Sequence, residues 1–97
     1  VWALVNGITP EGKRDRTGSN GHSNTATLGE TWCFAAMAIR AGMSGLALRR
    51  ARRLAVNIAL VQRRPWDMTW NMDPDTGRYL WGREYYSNLC IWDLWAT

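Results

Sequence analysis

The apolar positions change their period twice along the chain. Residues 1–5 (VWALV) form a short apolar patch that ends at Asn6-Gly7, a turn pair. Residues 7–26 scatter Gly7, Pro10, Gly12, Gly18 and Gly21 among polar and charged residues, and no apolar period survives. That stretch reads as an irregular, flexible arm over 1–26, ordered by a partner where it is ordered at all. A helical pattern begins at Thr27. Thr27-Leu28-Gly29-Glu30 fits a capping box, in which the Thr hydroxyl accepts one free N–H and the Glu carboxylate reaches back for another. Pro65 closes the pattern, because its ring disfavours helix at Arg64 and it donates no N–H. One unbroken helix over 28–63 would run about 54 Å, too long for a compact chain of this size. A kink or break into two helices is therefore expected at Gly42-Met43-Ser44-Gly45.

On a helical wheel, Ala35, Ala38, Gly42, Gly45, Arg49, Arg52, Arg53, Val56, Leu60 and Arg63 share one face, small at first and cationic later. Ala36, Met43, Ala47, Ala51, Leu54, Ile58 and Val61 share the opposite face, with Arg40 among them, and form an ordinary packing stripe. Ala38 and Gly42 make a small-xxx-small pair that admits the close approach of another backbone. That backbone is either this chain's own C-terminal segment or a foreign helix.

After Pro65 the period falls to two. Trp66, Met68, Trp70 and Met72 alternate with Asp67, Thr69 and Asn71, the pattern of a strand. Asp73-Pro74-Asp75-Thr76-Gly77 supplies turn chemistry: an acceptor, a fixed φ, then a glycine for the left-handed position. Arg78-Tyr79-Leu80-Trp81 resumes the extended pattern, so a β-hairpin is expected over 66–81. Its turn sets Asp73 against Arg78, Met72 against Tyr79 and Trp70 against Trp81, giving an aromatic face suited to docking. Leu89 to Trp95 reads as either a short helix or a strand.

Composition alters this picture in one respect. Leu, Ile, Val and Phe together are only 18 of 97 residues, below the level at which a chain readily fills a core. Seven Trp partly substitute, and five of them fall in 66–97. A small hairpin cannot bury that load alone. The expected fold is small α+β, extended rather than compact: an arm over 1–26, then one small domain or interaction segment over 27–97 with an aromatic tail. Val1 is not an initiator Met, so a processed, trimmed or partial chain is expected, and no signal peptide is visible in it.

Candidate chemistry is sparse. His22 sits alone in a Gly-Ser-Asn loop without a second base or acid nearby, which disfavours a nucleophilic triad. Cys33 and Cys90 lack CxxC spacing, so no metal site is expected. They are read as two free thiols, with a single bridge between them the other option. No phosphate-cradling glycine motif occurs, and no catalytic residue or cofactor is assigned. The sharpest charged feature is Arg49-Arg50-Ala51-Arg52-Arg53, within a stretch from Arg40 to Arg64 that holds seven Arg and no acid. Such a helix suits phosphates, anionic headgroups or an acidic protein surface, or is simply solvated. Residues 31–48 carry one charge, Arg40, but fall short of a full bilayer span.

Gly82-Arg83-Glu84-Tyr85-Tyr86-Ser87-Asn88, with Trp95 beyond, resembles the middle strand of a WW domain. The resemblance covers about 14 residues and implies proline-rich peptide binding through Tyr and the second Trp. The chain departs from that pattern in three ways: Trp66 and Trp70 lie too far upstream, Asp93 stands where a Thr is expected, and no terminal Pro follows.

These features point to a non-enzymatic accessory subunit of a large assembly, membrane-associated and of the respiratory or photosynthetic kind. Its expected partners are other protein subunits, with membrane lipid or a membrane protein beside them, in an organellar or membrane-associated complex. Packing contacts are assigned to Ala38, Gly42, Gly45, Trp66, Trp70 and Trp81, and an anionic partner to Arg49, Arg50, Arg52 and Arg53. The alternative is an RNA-binding structural subunit of a ribonucleoprotein such as a ribosome, with Trp or Tyr stacking on bases. No small-molecule substrate is expected.

Overall fold

The structure, a computed structural model, describes residues 3–17, 24–83 and 88–97. A four-stranded antiparallel sheet has the order β1 (Leu4–Val5), β2 (Ala26–Thr27), β3 (Thr69–Met72), β4 (Tyr79–Arg83). Among the described residues three α-helices accompany it: α1 (Leu28–Arg40), α2 (Ser44–Val56) and α3 (Cys90–Ala96). The α+β class expected from the pattern is present. The extended shape is not. The radius of gyration is 13.0 Å, close to the roughly 12.5 Å of a compact chain of this length. The arm expectation missed what closes the body. Leu4 and Val5 pair with Thr27 and Ala26, which in turn pair with Asn71 and Met72. Arg14 and Arg16 meet Asp75 at the hairpin turn, at 3.0 and 3.4 Å.

The helical run breaks where expected. Gly42 takes φ +79° and the chain folds back, so α2 packs on α1. Ala35, Ala38 and Ala47 are buried together at that contact, beside Phe34, Ile39, Ala51 and Leu94. The second core cluster joins Ala3, Ala26, Leu28, Trp32, Leu54, Ile58 and Met72, and so ties the N-terminal segment and sheet to α1 and α2. Thr27 is the N-cap of α1, but the expected capping box does not form: its side chain makes no cap hydrogen bond. Thr31 serves the junction instead, donating to the Thr27 carbonyl at 2.6 Å and accepting from the Leu4 amide at 2.9 Å. Past Val56 the helix widens into a π-helical turn over Asn57–Val61. The Arg64 amide reaches back to the Ile58 carbonyl at 3.0 Å, with Arg63 left-handed at φ 55°. This left-handed residue and the wide backward bond end the helix two residues before Pro65.

The hairpin forms with the expected turn. Asp73 Oδ1 accepts from the amides of Asp75 (3.0 Å) and Thr76 (2.7 Å) and from the Thr76 hydroxyl (2.9 Å). These bonds, the Thr76 amide foremost, hold the Asp73 carboxyl below its ordinary pKa. Met72 faces Tyr79 as expected, but Asn71, not Trp70, faces Trp81. The register shifts between Asn71 and Met72 because Leu80 is an extra residue on β4, a β-bulge. Gly82 then lies beside Trp70, at φ +81°.

Candidate interaction surface

Arg49, Arg52 and Arg53 recur at the spacing that places side chains on one side of a helix, opposite the buried Ala47 and Leu54. Arg49, Arg50, Arg52 and Arg53 are all exposed, with Arg50 on the flank, while Ala51 between them packs inward. Leu46 and Val56 line an open hollow together with the four guanidinium-bearing side chains. A second hollow, lined by Ala3, Leu4, Val5 and Phe34 among others, adjoins it and shares Leu46 and Arg50. Among the described residues no carboxylate forms an ion pair with Arg49, Arg50 or Arg52. Arg14, Arg16, Arg40 and Arg64, by contrast, all pair with Asp side chains. The positive charge on α2 is thus left facing outward, and a surface of this kind attracts anions with a strength set by ionic strength.

The tryptophans divide. Trp32 is buried in the core and Trp70 is half-buried beside Gly82. Trp66, Trp92 and Trp95 are 97%, 66% and 85% exposed. On α3, Cys90 and Leu94 pack inward, while Ile91, Trp92 and Trp95 face outward.

The residues assigned to partner packing are not brought together. Ala38 is consumed by the contact between α1 and α2 within the chain. Gly42 belongs to the exposed turn, where a Cβ would meet nothing within 4 Å, and Gly45 is exposed near the start of α2. The chain's own break rotates the wheel at residues 41–43, so the stripe that joined small residues to arginines is not one continuous face. Trp81 is placed in β4 opposite Asn71 by its backbone. Residues 31–48 are divided between two packed helices, and among the described residues no helix is long and apolar enough to cross a membrane.

Two groupings escaped the sequence reading. Asn57 is fully buried; its Nδ2 donates to the Gly77 carbonyl at 2.9 Å and its Oδ1 accepts from Gln62 at 2.7 Å, so it fastens the hairpin turn to the helix end. Thr25, Asn71 and Thr69 form a buried polar set, with Thr25 Oγ1 donating to Asn71 Oδ1 at 2.8 Å. Both rest on contacts far apart in sequence, which no local pattern signals. His22 and Glu84–Ser87 lie outside the described residues, as does most of the stretch resembling a WW strand; Trp95 of that pattern sits on a helix. No group of three metal-ligating side chains gathers among the described residues. Compared with protein-family models, curated proteins and solved structures, the chain matches none.

Proposed function

We propose that this protein is a non-enzymatic structural subunit that docks on an anionic surface of a larger, membrane-associated assembly. The observation that carries this reading is the outward face of α2, with Arg49, Arg50, Arg52 and Arg53 exposed and the first three without a described carboxylate partner. Guanidinium groups bind phosphate and carboxylate in a forked geometry, and an exposed row of them favours an extended anion over a single small one. The exposed indoles of Trp66, Trp92 and Trp95 support the membrane side of the proposal, since indole favours the boundary between headgroups and water. The same row of arginines suits a nucleic-acid backbone, and RNA is the second reading.

The test is equilibrium binding of the full chain to vesicles of neutral lipid, vesicles containing phosphatidylserine, and a duplex RNA, each at several salt concentrations. Binding to anionic vesicles with a blue shift of tryptophan emission is the expected result. Replacing Arg49, Arg50, Arg52 and Arg53 with Gln should abolish the salt dependence and leave helix content unchanged, because Arg and Gln have similar helix propensity. RNA binding without vesicle binding would favour the second reading. Indifference to all three surfaces, or an unaltered salt response in the variant, would refute the docking role of α2.

A further inference from the structure

We propose that Cys33 and Cys90 are a redox-modifiable pair that closes into an intramolecular disulfide, fastening α3 to α1. The two helices lie side by side and run in the same direction, since Cys90 packs against the cluster holding Leu28 and Trp32, and Leu94 reaches the cluster holding Ala35 and Ala38 farther along α1. At one end Arg40 donates to Asp93 Oδ1 at 3.0 Å and to the Thr97 hydroxyl at 2.9 Å. Cys33 lies seven residues before Arg40, and Cys90 seven before Thr97. Two helical turns back from one contact, on both helices, therefore lead to the two cysteines. Trp32, in the core cluster against which Cys90 packs there, is the chain neighbour of Cys33. Both are free and half-buried, open enough for a small reagent. The chain holds no other cysteine, so no competing intramolecular pairing exists.

The oxidant required is a low-molecular-weight disulfide such as oxidised glutathione. One cysteine thiolate attacks it, forming a mixed disulfide and releasing one glutathione thiolate. The other cysteine, as its thiolate, then attacks the protein sulfur of that mixed disulfide and expels the second glutathione. The protein thiols give up two electrons and two protons, and the small disulfide becomes two thiols. Excess thiol reverses both steps. The Cys33 thiol is pushed up to about 11, first by its hydrogen bond with Cys90, then by burial and by the charges of Cys90, Asp93 and Glu30. Its thiolate is scarce at neutral pH, so closure is slow and marks a lasting staple more than a fast sensor. The consequence falls on α3, which spans only seven residues and has little helical stability of its own. A staple at its first residue would hold the Trp92 and Trp95 face in one orientation.

The test equilibrates the full chain across a series of reduced and oxidised glutathione ratios, quenches with an alkylating reagent and weighs the intact protein. The expected product is a monomer lighter by two hydrogens and without glutathione. Cleavage after Arg under non-reducing conditions should then release peptide 17–40 joined to peptide 84–97. Cys33→Ser and Cys90→Ser should each give a single glutathione adduct and no bridge. Closing so long a loop should raise the folded-to-unfolded ratio by up to about a thousandfold, read as a higher melting temperature than that of the reduced protein. Two separate adducts, a bridge between two chains, or an unchanged melting temperature would overturn the proposal.

Discussion

Gly42 and Gly82 offer a controlled comparison of backbone strain with crowding. Both hold the left-handed conformation, at φ +79° and +81°. An alanine at either position carries the same cost for that conformation, about 1–2 kcal/mol, and the same entropic change in the unfolded chain. Those terms cancel when the two variants are compared. What remains is space. A Cβ at Gly42 meets nothing within 4 Å, whereas one at Gly82 lies 3.0 Å from Cβ of Trp70 and 3.6 Å from its ring. The crowded atom is the Trp70 Cβ, fixed to the β3 backbone, so relief requires the strands themselves to part. Forcing such overlap costs roughly 1–3 kcal/mol. Gly82→Ala should therefore be less stable than Gly42→Ala by that margin, against a total stability of about 5–15 kcal/mol for a chain of this length. Thermal unfolding followed by circular dichroism should separate the two midpoints by at least about 4 °C. Equal losses would show that Trp70 does not press on Gly82 and that the bulged register of the hairpin is mistaken.

Three further outcomes follow from single groups. Arg63 takes the left-handed position that ends the helix, at φ 55°, and is exposed, so Arg63→Gly should raise stability by about 0.5–1 kcal/mol in a urea titration; a loss would mean that its side chain contributes more than its strain costs. Leu54 is fully buried between the helices and sheet, and Leu54→Ala should cost about 2–5 kcal/mol in the same titration, a loss below 1 kcal/mol showing that the site collapses freely. The Asp73 carboxyl is held below its ordinary 3.8 by the Thr76 and Asp75 bonds, so the folded state binds its proton less readily than the unfolded one; the stability it contributes is present above that value and is lost as pH falls through the lower folded pKa, which faster amide exchange at Thr76 in acid should report.

What the sequence disclosed was what single residues dictate locally. The reversal at Gly42 needs a residue that accepts positive φ, and the turn at 73–77 needs an acceptor, a proline and a glycine in order. The stop near Pro65 needs only a missing N–H. Each of these was legible because its cause lies within a few residues. The sheet was not. β1 and β2 have two residues each and no alternating pattern, and Ala26 finds Met72 only across the two long helices that separate them in sequence. The bulge at Leu80 leaves no composition mark either, although Gly82 beside it did offer a hint that went unused. Nor was the Asn57 contact with Gly77 foreseeable, since it depends on where the hairpin turn comes to rest.

The fate of the tryptophans shows why burial was the hardest property to read. A thin supply of large aliphatic residues left open whether indoles would fill the core or face outward toward partners. The helices solved the shortage differently. Ala35 and Ala38 on α1 meet Ala47 on α2, and small facing side chains allow a close helix–helix contact. A contact that close has no room for an indole, so reducing the volume to be filled replaced enlarging the residues that fill it. On the sheet side, Thr69 and Asn71 are buried, the Thr69 hydroxyl donating to the Asn71 carbonyl and Asn71 Oδ1 accepting from Thr25, and they occupy inward positions that the alternating pattern had left to polar, outward-facing residues. Trp32 is buried where the sheet and both long helices converge. Trp66, Trp92 and Trp95 are then surplus to the core, and their exposure follows from the economy of the alanine contact. A reduced form of the chain with Ala47→Leu tests this argument directly. The larger residue should push α1 and α2 apart and destabilise the fold by about 1–3 kcal/mol, while an equally stable variant would show that the helices had never been closely packed.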